Sequence, residues 1–420
     1  MKPLLLRLSL WGGILLFIFP AQLTAQGPRL SQFFANRTFL NPAYAGFESG
    51  TTLEVNHRDQ WFGVPDVSSG PFSGGFRTSV ATISTQLPCL FDVQGANFGF
   101  ALTGFTDAAG IAGLQTNGIG TAISFELPLI RSTNNLDNRG FKRLDLRAGF
   151  QSGWANRSLA DDYFLYSYQL DPVIGLPANV DPESLDVGSG GYLNARAGFM
   201  LRGMFKRGKK GGYGNRKRLN DEILFTIGLA ISNLNEPDIT FFDGGEPAIL
   251  RRRFTVHAGF ATSMLNLKGG RNRSKYLSIA PQFRWDIEAG GKLNAITVGT
   301  NFINRTYFAG LFYSFTTPNG NGPGAVSIDP ILAGGVRTIT VSGGMLINWR
   351  SNYRTMPNND FRERSMVLGL SYDLVAGGLA STTGGVLELS LQMNLFSGNK
   401  KNCAALGKFE LYDGKCPAKF

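Results

Sequence analysis

Residues 385–396 read GVLELSLQMNLF. Leu387, Leu389, Leu391, Met393 and Leu395 fall on one phase of a two-residue period, and Glu388, Ser390, Gln392 and Asn394 on the other. A strand turns successive side chains to opposite faces, so this segment has one greasy face and one polar face. A half-buried strand of a soluble protein has the same look when it occurs once. Repeated along a chain with an export signal, the pattern describes a barrel wall, with lipid outside and water inside.

It is repeated. Phe98, Phe100 and Leu102 oppose Asn97, Ala101 and Thr103, and Ile119, Ile123, Phe125 and Leu127 oppose glycines, Ser124 and Glu126. Leu144, Leu146, Ala148 and Phe150 oppose Arg143, Asp145, Arg147 and Gln151. Residues 193–202, 223–232, 253–260, 277–287, 306–315 and 366–374 alternate in the same way, and weaker strands fit at 51–60, 74–85, 293–302 and 336–349. The tally is about 14, an even number of the kind single-chain bacterial barrels need. The fold expected is an all-β, antiparallel transmembrane outer-membrane β-barrel. A sandwich or secreted solenoid is the competing reading, but a sandwich core would not carry Arg, Asp, Glu and Gln on one face of each strand.

Lys2 and Arg7 precede a short apolar run at residues 8–19, and Leu23-Thr24-Ala25 ends in a small residue. This is the form of a signal peptide, residues 1–25, with cleavage before Gln26. An uncleaved anchor is the alternative; the run is short for a span of about 20 residues. Beyond it the greasiest piece is residues 223–231, well below the roughly 18 residues a transmembrane helix needs. Glycine, at 54 of 420 residues, is nearly twice its usual ~7%. With 33 phenylalanines and few charges, that suits barrel strands and aromatic girdles. The expected organisation is an N-terminal periplasmic or plug segment at 26–50, the barrel at 51–396 and a periplasmic tail at 397–420.

The formal charge is +11, which raises nucleic-acid binding as an alternative. Export and the scatter of the basic residues argue against it. Their distribution says more. With both chain ends in the periplasm, the outer connections include 155–189, with Asp161, Asp162, Asp171, Asp181, Glu183 and Asp186 against Arg157 alone, and 233–250, with Glu236, Asp238, Asp243 and Glu246. The inner ones include 204–220, with Lys206, Arg207, Lys209, Lys210, Arg216, Lys217 and Arg218. Residues 266–275 add Lys268, Arg271, Arg273 and Lys275, and 350–364 carry four arginines. Charged loops commonly do no more than solvate. Segregation into alternate loops points instead to a basic periplasmic rim that draws acidic protein surfaces. On the outer side, Tyr163, Phe164, Phe241 and Phe242 are candidate contacts for an exported partner.

Catalytic chemistry is sparse. His57 and His257 are the two histidines, and neither makes a zinc spacing with cysteine. No nucleophile elbow or phosphate-binding loop occurs. His257 is read as lining the lumen beside Arg253. Asp373 and Glu388 both face inward, as an acid pair or as charge balance for lumen arginines. No enzyme activity, cofactor or metal site is expected. Cys403 and Cys416 are a disulfide candidate in an oxidising compartment, with Cys89 left over; three free thiols are the alternative.

Gln32-Phe33-Phe34, then Phe39-Leu40-Asn41-Pro42-Ala43-Tyr44-Ala45-Gly46, resembles the start of the PorP/SprF family, outer-membrane proteins of the type IX secretion system. His57-Arg58-Asp59-Gln60-Trp61 stands where that family has a Tyr-Arg-Asn-Gln-Trp-like block. Leu370-Ser371-Tyr372-Asp373 and the later Thr383-Gly384-Gly385-Val386-Leu387-Glu388 resemble its closing strands, and Cys416-Pro417 its short tail. The middle, about residues 150–250, departs from the pattern. The resemblance implies service in type IX secretion or gliding motility in the outer membrane of a Gram-negative bacterium. The chain would act as an anchor or docking protein for periplasmic secretion components or an exported adhesin. A passive porin or hydrophobic-substrate channel is the alternative. Asn41-Pro42 reads as an extended or turn segment, with Tyr44 and Phe47 packing it under the barrel or into the lumen, or else a flexible leader. Trp61 is expected at the outer interface.

Overall fold

A computed structural model describes residues 28–48, 50–61, 75–88, 97–109, 114–131, 140–159, 190–206, 222–240, 248–269, 273–288, 293–304, 306–318, 336–350, 363–376 and 384–396. Fourteen strands follow a short leader: β1 Thr51–Gln60, β2 Phe76–Pro88, β3 Asn97–Ala109, β4 Leu114–Arg131, β5 Gly140–Ser158, β6 Gly190–Lys206 and β7 Glu222–Ser232. The second half is β8 Arg253–Gly269, β9 Arg273–Glu288, β10 Leu293–Ile303, β11 Tyr307–Pro318, β12 Val336–Arg350, β13 Glu363–Ala376 and β14 Val386–Phe396. Each strand pairs antiparallel with its chain neighbours. β1 then pairs with β14, Thr51 opposite Phe396 and Gln60 opposite Val386, which closes the barrel. Closure leaves no unpaired edge, a condition for crossing hydrocarbon with strands.

The alternation is realised as the sequence requires. In β14, Leu389 is 51% exposed while Glu388, Ser390 and Gln392 are buried. Ile123, Leu193, Phe199 and Leu311 are likewise exposed, and Glu126, Arg196 and Ser124 on the other face are buried. An outer wall this greasy is stable against lipid, not water.

β1 starts and β14 finishes at the same end of the barrel, here called the inner end. Its connections include the very short 270–272 and 304–306, whereas the opposite end carries 159–189, 233–252 and 319–335. Outer-membrane barrels keep short turns in the periplasm and long loops outside, and on that rule the inner end is expected on the periplasmic side. The strands run further than the apolar pattern does, because backbone pairing continues past the hydrocarbon and needs no greasy side chain. Met204 to Lys206 therefore belong to β6, and the basic inner connection is 207–221. Lys268, Arg273, Lys275 and Arg364 also lie on strands, not in turns. Of the acidic connection, residues 233–240 and 248–252 are described. Asp238 and Ile249 form an isolated bridge. Hydrogen bonds from the Thr240 hydroxyl and N–H hold the exposed Asp238 carboxyl below its usual range. Glu236 lies 3.9 Å from Arg251 and 3.7 Å from Arg252, so flanking arginines offset part of this connection's negative charge.

The core is inside the barrel. A one-turn helix α1, Arg37–Leu40, and a 3-10 turn, Pro42–Tyr44, belong to the leader. Phe33, Phe34, Ala35, Leu40, Ala43 and Tyr44 pack with the wall residues Met200 and Phe312. A second cluster, Ala261, Ala280, Ile303, Phe308 and Val367, comes from the wall alone.

Candidate functional site

The leader touches wall residues around the ring. Its partners lie on β1, β2, β4, β5, β6, β8, β9, β11 and β14. Only a segment within the lumen can do this. Of the placements open from the sequence, the lumen is the one observed. A flexible leader is not, since Gln32, Asn36, Asn41, Ala43 and Ala45 are fully buried.

At the outer end, five wall side chains converge on residues 29–32. Glu388 accepts the Ser31 N–H at 2.6 Å, the Gln32 N–H at 3.1 Å and the Asn56 amide at 3.0 Å. Gln32 returns its own amide to the Glu388 carbonyl at 2.9 Å. Asp373 accepts the Ser31 hydroxyl, and Arg58, 3.9 Å from Asp373, donates to the Arg29 carbonyl. Arg29 in turn lies 3.8 Å from Asp286 and 3.2 Å from Glu288. A carboxylate that takes two backbone N–H groups fixes chain direction as well as position, because charged hydrogen bonds are the strong ones. Asp373 and Glu388 are thus bound to the leader, rather than forming a bare acid pair.

Deeper in, Asn41 is extended (φ −151°, ψ 121°), and its side-chain oxygen caps the Ala43 N–H at 2.9 Å. Pro42 opens the 3-10 turn, where its missing donor costs nothing. The Asn41 amide reaches the Phe199 carbonyl at 3.2 Å and His257 Nε2 at 2.9 Å. With the amide donating, Nε2 accepts and the imidazole is neutral. His257 does face the lumen, but it is 2% exposed beneath Asn41 and Tyr44. The wall makes room with glycine. A Cβ on Gly149 would sit 2.4 Å from the Ala43 nitrogen. Gly46 has φ +59°, and a Cβ there would meet the Gly99 Cα at 2.5 Å. The leader leaves the lumen at the inner end, where the Gly50 carbonyl accepts the Gln86 N–H, and runs into β1.

The sequence matches the family described as type IX secretion system membrane protein PorP/SprF over residues 23–393. The chain belongs to the PorP/SprF family. Family and fold together point to a non-enzymatic outer-membrane protein connected with type IX secretion. No curated protein matches the sequence. Among solved structures, a Pseudomonas aeruginosa FadL homologue is similar at 14% identity and TM-score 0.35, covering 86% of this chain and 94% of its own. The β domain of the Bordetella autotransporter BrkA is similar at 12% and 0.32, covering 82% and 98%. Pseudomonas putida OprB is similar at 9% and 0.33, covering 82% and 93%. Likenesses at this level bear on neither fold detail nor function.

In this PorP/SprF barrel the motif residues fall into three places. Arg58, Asp373 and Glu388 hold the leader's outer end, and Asn41, Pro42, Tyr44 and Gly46 form its middle and lower part. Gln60, Trp61 and Tyr372 sit at the outer rim. Trp61 (φ 63°) donates its N–H to Gly385 at 2.8 Å and meets Phe76 edge-on at 4.9 Å, and the Tyr372 hydroxyl donates to Gly384 at 2.9 Å. Lys206 ends β6. Arg207, Lys209, Lys210, Arg216, Lys217, Arg218, Tyr163, Phe164, Phe241, Phe242, Cys89, Cys403 and Cys416 lie outside the described residues, as does the signal segment.

Sequence reasoning missed several contributors. Arg147, 1% exposed, pairs with Glu126 and donates to the leader carbonyls of Ala43 at 2.9 Å and Ala45 at 2.7 Å. Arg196 donates to the Phe39 carbonyl, and Gln392 donates to that of Ala35 at 2.6 Å. Leader aromatics also meet wall guanidiniums. Phe47 lies 4.3 Å from Arg202, Phe39 5.4 Å from Arg196 and Phe33 5.8 Å from Arg284, within cation–π range. The signal was present as arginines on the inward phase of the strands, Arg147 and Arg196 among them. What the arginines held was not written in any single strand.

Proposed function

We propose that this barrel serves type IX secretion or gliding as an anchor or docking protein for the secretion machinery or an exported surface adhesin, and that it does not act as a pore. The observation that carries the reading is the leader at residues 28–48, hydrogen-bonded and packed across the lumen. A barrel whose interior is filled by its own chain has its rims and outer loops left for work, and those are binding surfaces. The basic inner connection at 207–221 suits an acidic periplasmic component, and long-range charge would speed that encounter. The outer connections, with Tyr163, Phe164, Phe241 and Phe242, suit the exported partner. On this reading residues 1–25 are removed in export and residues 397–420 form a periplasmic handle.

The reading is tested by deleting the gene and, separately, only residues 207–220. Loss of the protein should abolish surface display of an exported substrate. The short deletion should leave the barrel in the membrane but reduce recovery of a periplasmic partner, most strongly at low salt. Intact display after gene loss would overturn the docking role, and unchanged recovery would overturn the role of the basic rim. A passive porin or hydrophobic-substrate channel is the competing reading, and a filled lumen speaks against it.

A further inference from the structure

We propose that the chain enters its own barrel from the cell exterior: the leader is threaded from the outer mouth to the inner one, so that Pro28 and Arg29 are reached from outside while the residues after β14 leave on the periplasmic side. The direction follows from contacts at successive heights. Pro28 lies against Arg253, the first residue of β8, and Arg29 against Glu288, the last of β9; both are at the long-loop end. Ser31 and Gln32 meet Glu388, the third residue of β14. The Phe34 and Ala35 carbonyls meet Gln392, halfway along the same strand, and Arg37 meets Glu54 near the start of β1. The segment then crosses to the far wall. It finishes beside Ser84 and Gln86 of β2 and enters β1 at the inner end.

Two sets of contacts hold this direction. The outer clasp of Arg58, Asp373, Glu388, Asp286 and Glu288 grips residues 29–32, and the arginine-to-carbonyl bonds grip residues 39–45. Cleavage before Gln26 would leave two residues ahead of Pro28, too few to carry the new amino end back through the barrel. This rests on the filled-lumen reading and adds sidedness to it. A partner docked on the outer loops would meet the end of the plug directly, without passing the barrel wall.

The experiment uses the full chain in cells, with Cys89, Cys403 and Cys416 replaced by serine and a membrane-impermeant maleimide as the probe. Pro28→Cys should be labelled in intact cells to the extent of Asp171→Cys in the β5–β6 connection. Lys210→Cys in the β6–β7 connection should be labelled only after lysis. Labelling of Pro28→Cys only after lysis overturns the proposal, as does reversal of the two controls. Because Pro28 is half-buried, and so that the test does not depend on the serine background, a thrombin site is also inserted between residues 27 and 28 of the native chain. Cleavage by external protease is expected, and protection until lysis overturns the proposal. Neither result depends on whether the lumen conducts, so sidedness and plugging fail separately.

Discussion

At the residue scale, the wall side chain with the most at stake is Arg147. Its guanidinium is enclosed, paired with the equally enclosed Glu126, and bonded to two leader carbonyls and the Ser124 hydroxyl. Its worth lies mainly in what its loss would leave behind. Glu126 would keep Arg143 at 2.8 Å and Asn97 at 3.1 Å, and the Ala45 carbonyl would keep the Ser124 hydroxyl, but the buried Ala43 carbonyl would lose the Arg147 donor, at about 1–3 kcal/mol. Arg147→Ala should therefore cost about 1–3 kcal/mol in urea unfolding of the refolded barrel. It should also expose the 42–46 turn to protease. Arg147→Lys keeps the charge but cannot reach both carbonyls with one planar fork, and should recover only part of the loss. A stability change within experimental error for Arg147→Ala would show that the leader is not held by this contact.

At the element scale, β14 shows what was legible in advance and what was not. Its alternation gave face, pairing and closure, because lipid and lumen impose opposite demands on neighbouring residues. The same rule read 14 strands along the chain. It did not show what fills the lumen. Phe308 and Phe312 face inward and are buried, on a strand whose alternation was legible from its outward Tyr307, Leu311 and Tyr313. Gly99, Gly149, Gly198 and Gly228 make room for a leader that lies 54 to 187 residues away in the chain, which no local pattern encodes. The family resemblance marked Arg58, Asp373 and Glu388, but not that they meet at the leader's outer end. The lipid-facing row makes a quantitative prediction. Leu391 lies at the middle of the strand and Leu395 near its inner end. Leu391→Arg should destabilise the barrel by about 2–4 kcal/mol in lipid, and Leu395→Arg by about 0–1, since the penalty follows depth. Equal penalties in bilayer refolding titrations would contradict the membrane placement of β14.

At the scale of the whole molecule, closure and filling are separate facts with separate consequences. Fourteen strands enclose a lumen wide enough for a chain, and this chain supplies one. The leader occupies it from Pro28 to Gly46, and Ala261, Ile303, Phe308 and Val367 pack together at the inner end of β8 to β13. Ions need a continuous wet path, and on the plugged reading the leader's buried aromatics stand in it. Purified full-length barrel in a planar bilayer should therefore show no steady conductance. A variant lacking residues 28–46 should conduct if its barrel stays closed, although less than an open barrel of this strand number, because the inner apolar cluster remains. Steady porin-like current from the full-length protein would defeat the plugged reading by itself, whatever the deletion does. A silent full-length barrel together with a conducting deletion would assign the closed state to the leader and leave the rims as the working surfaces of the molecule.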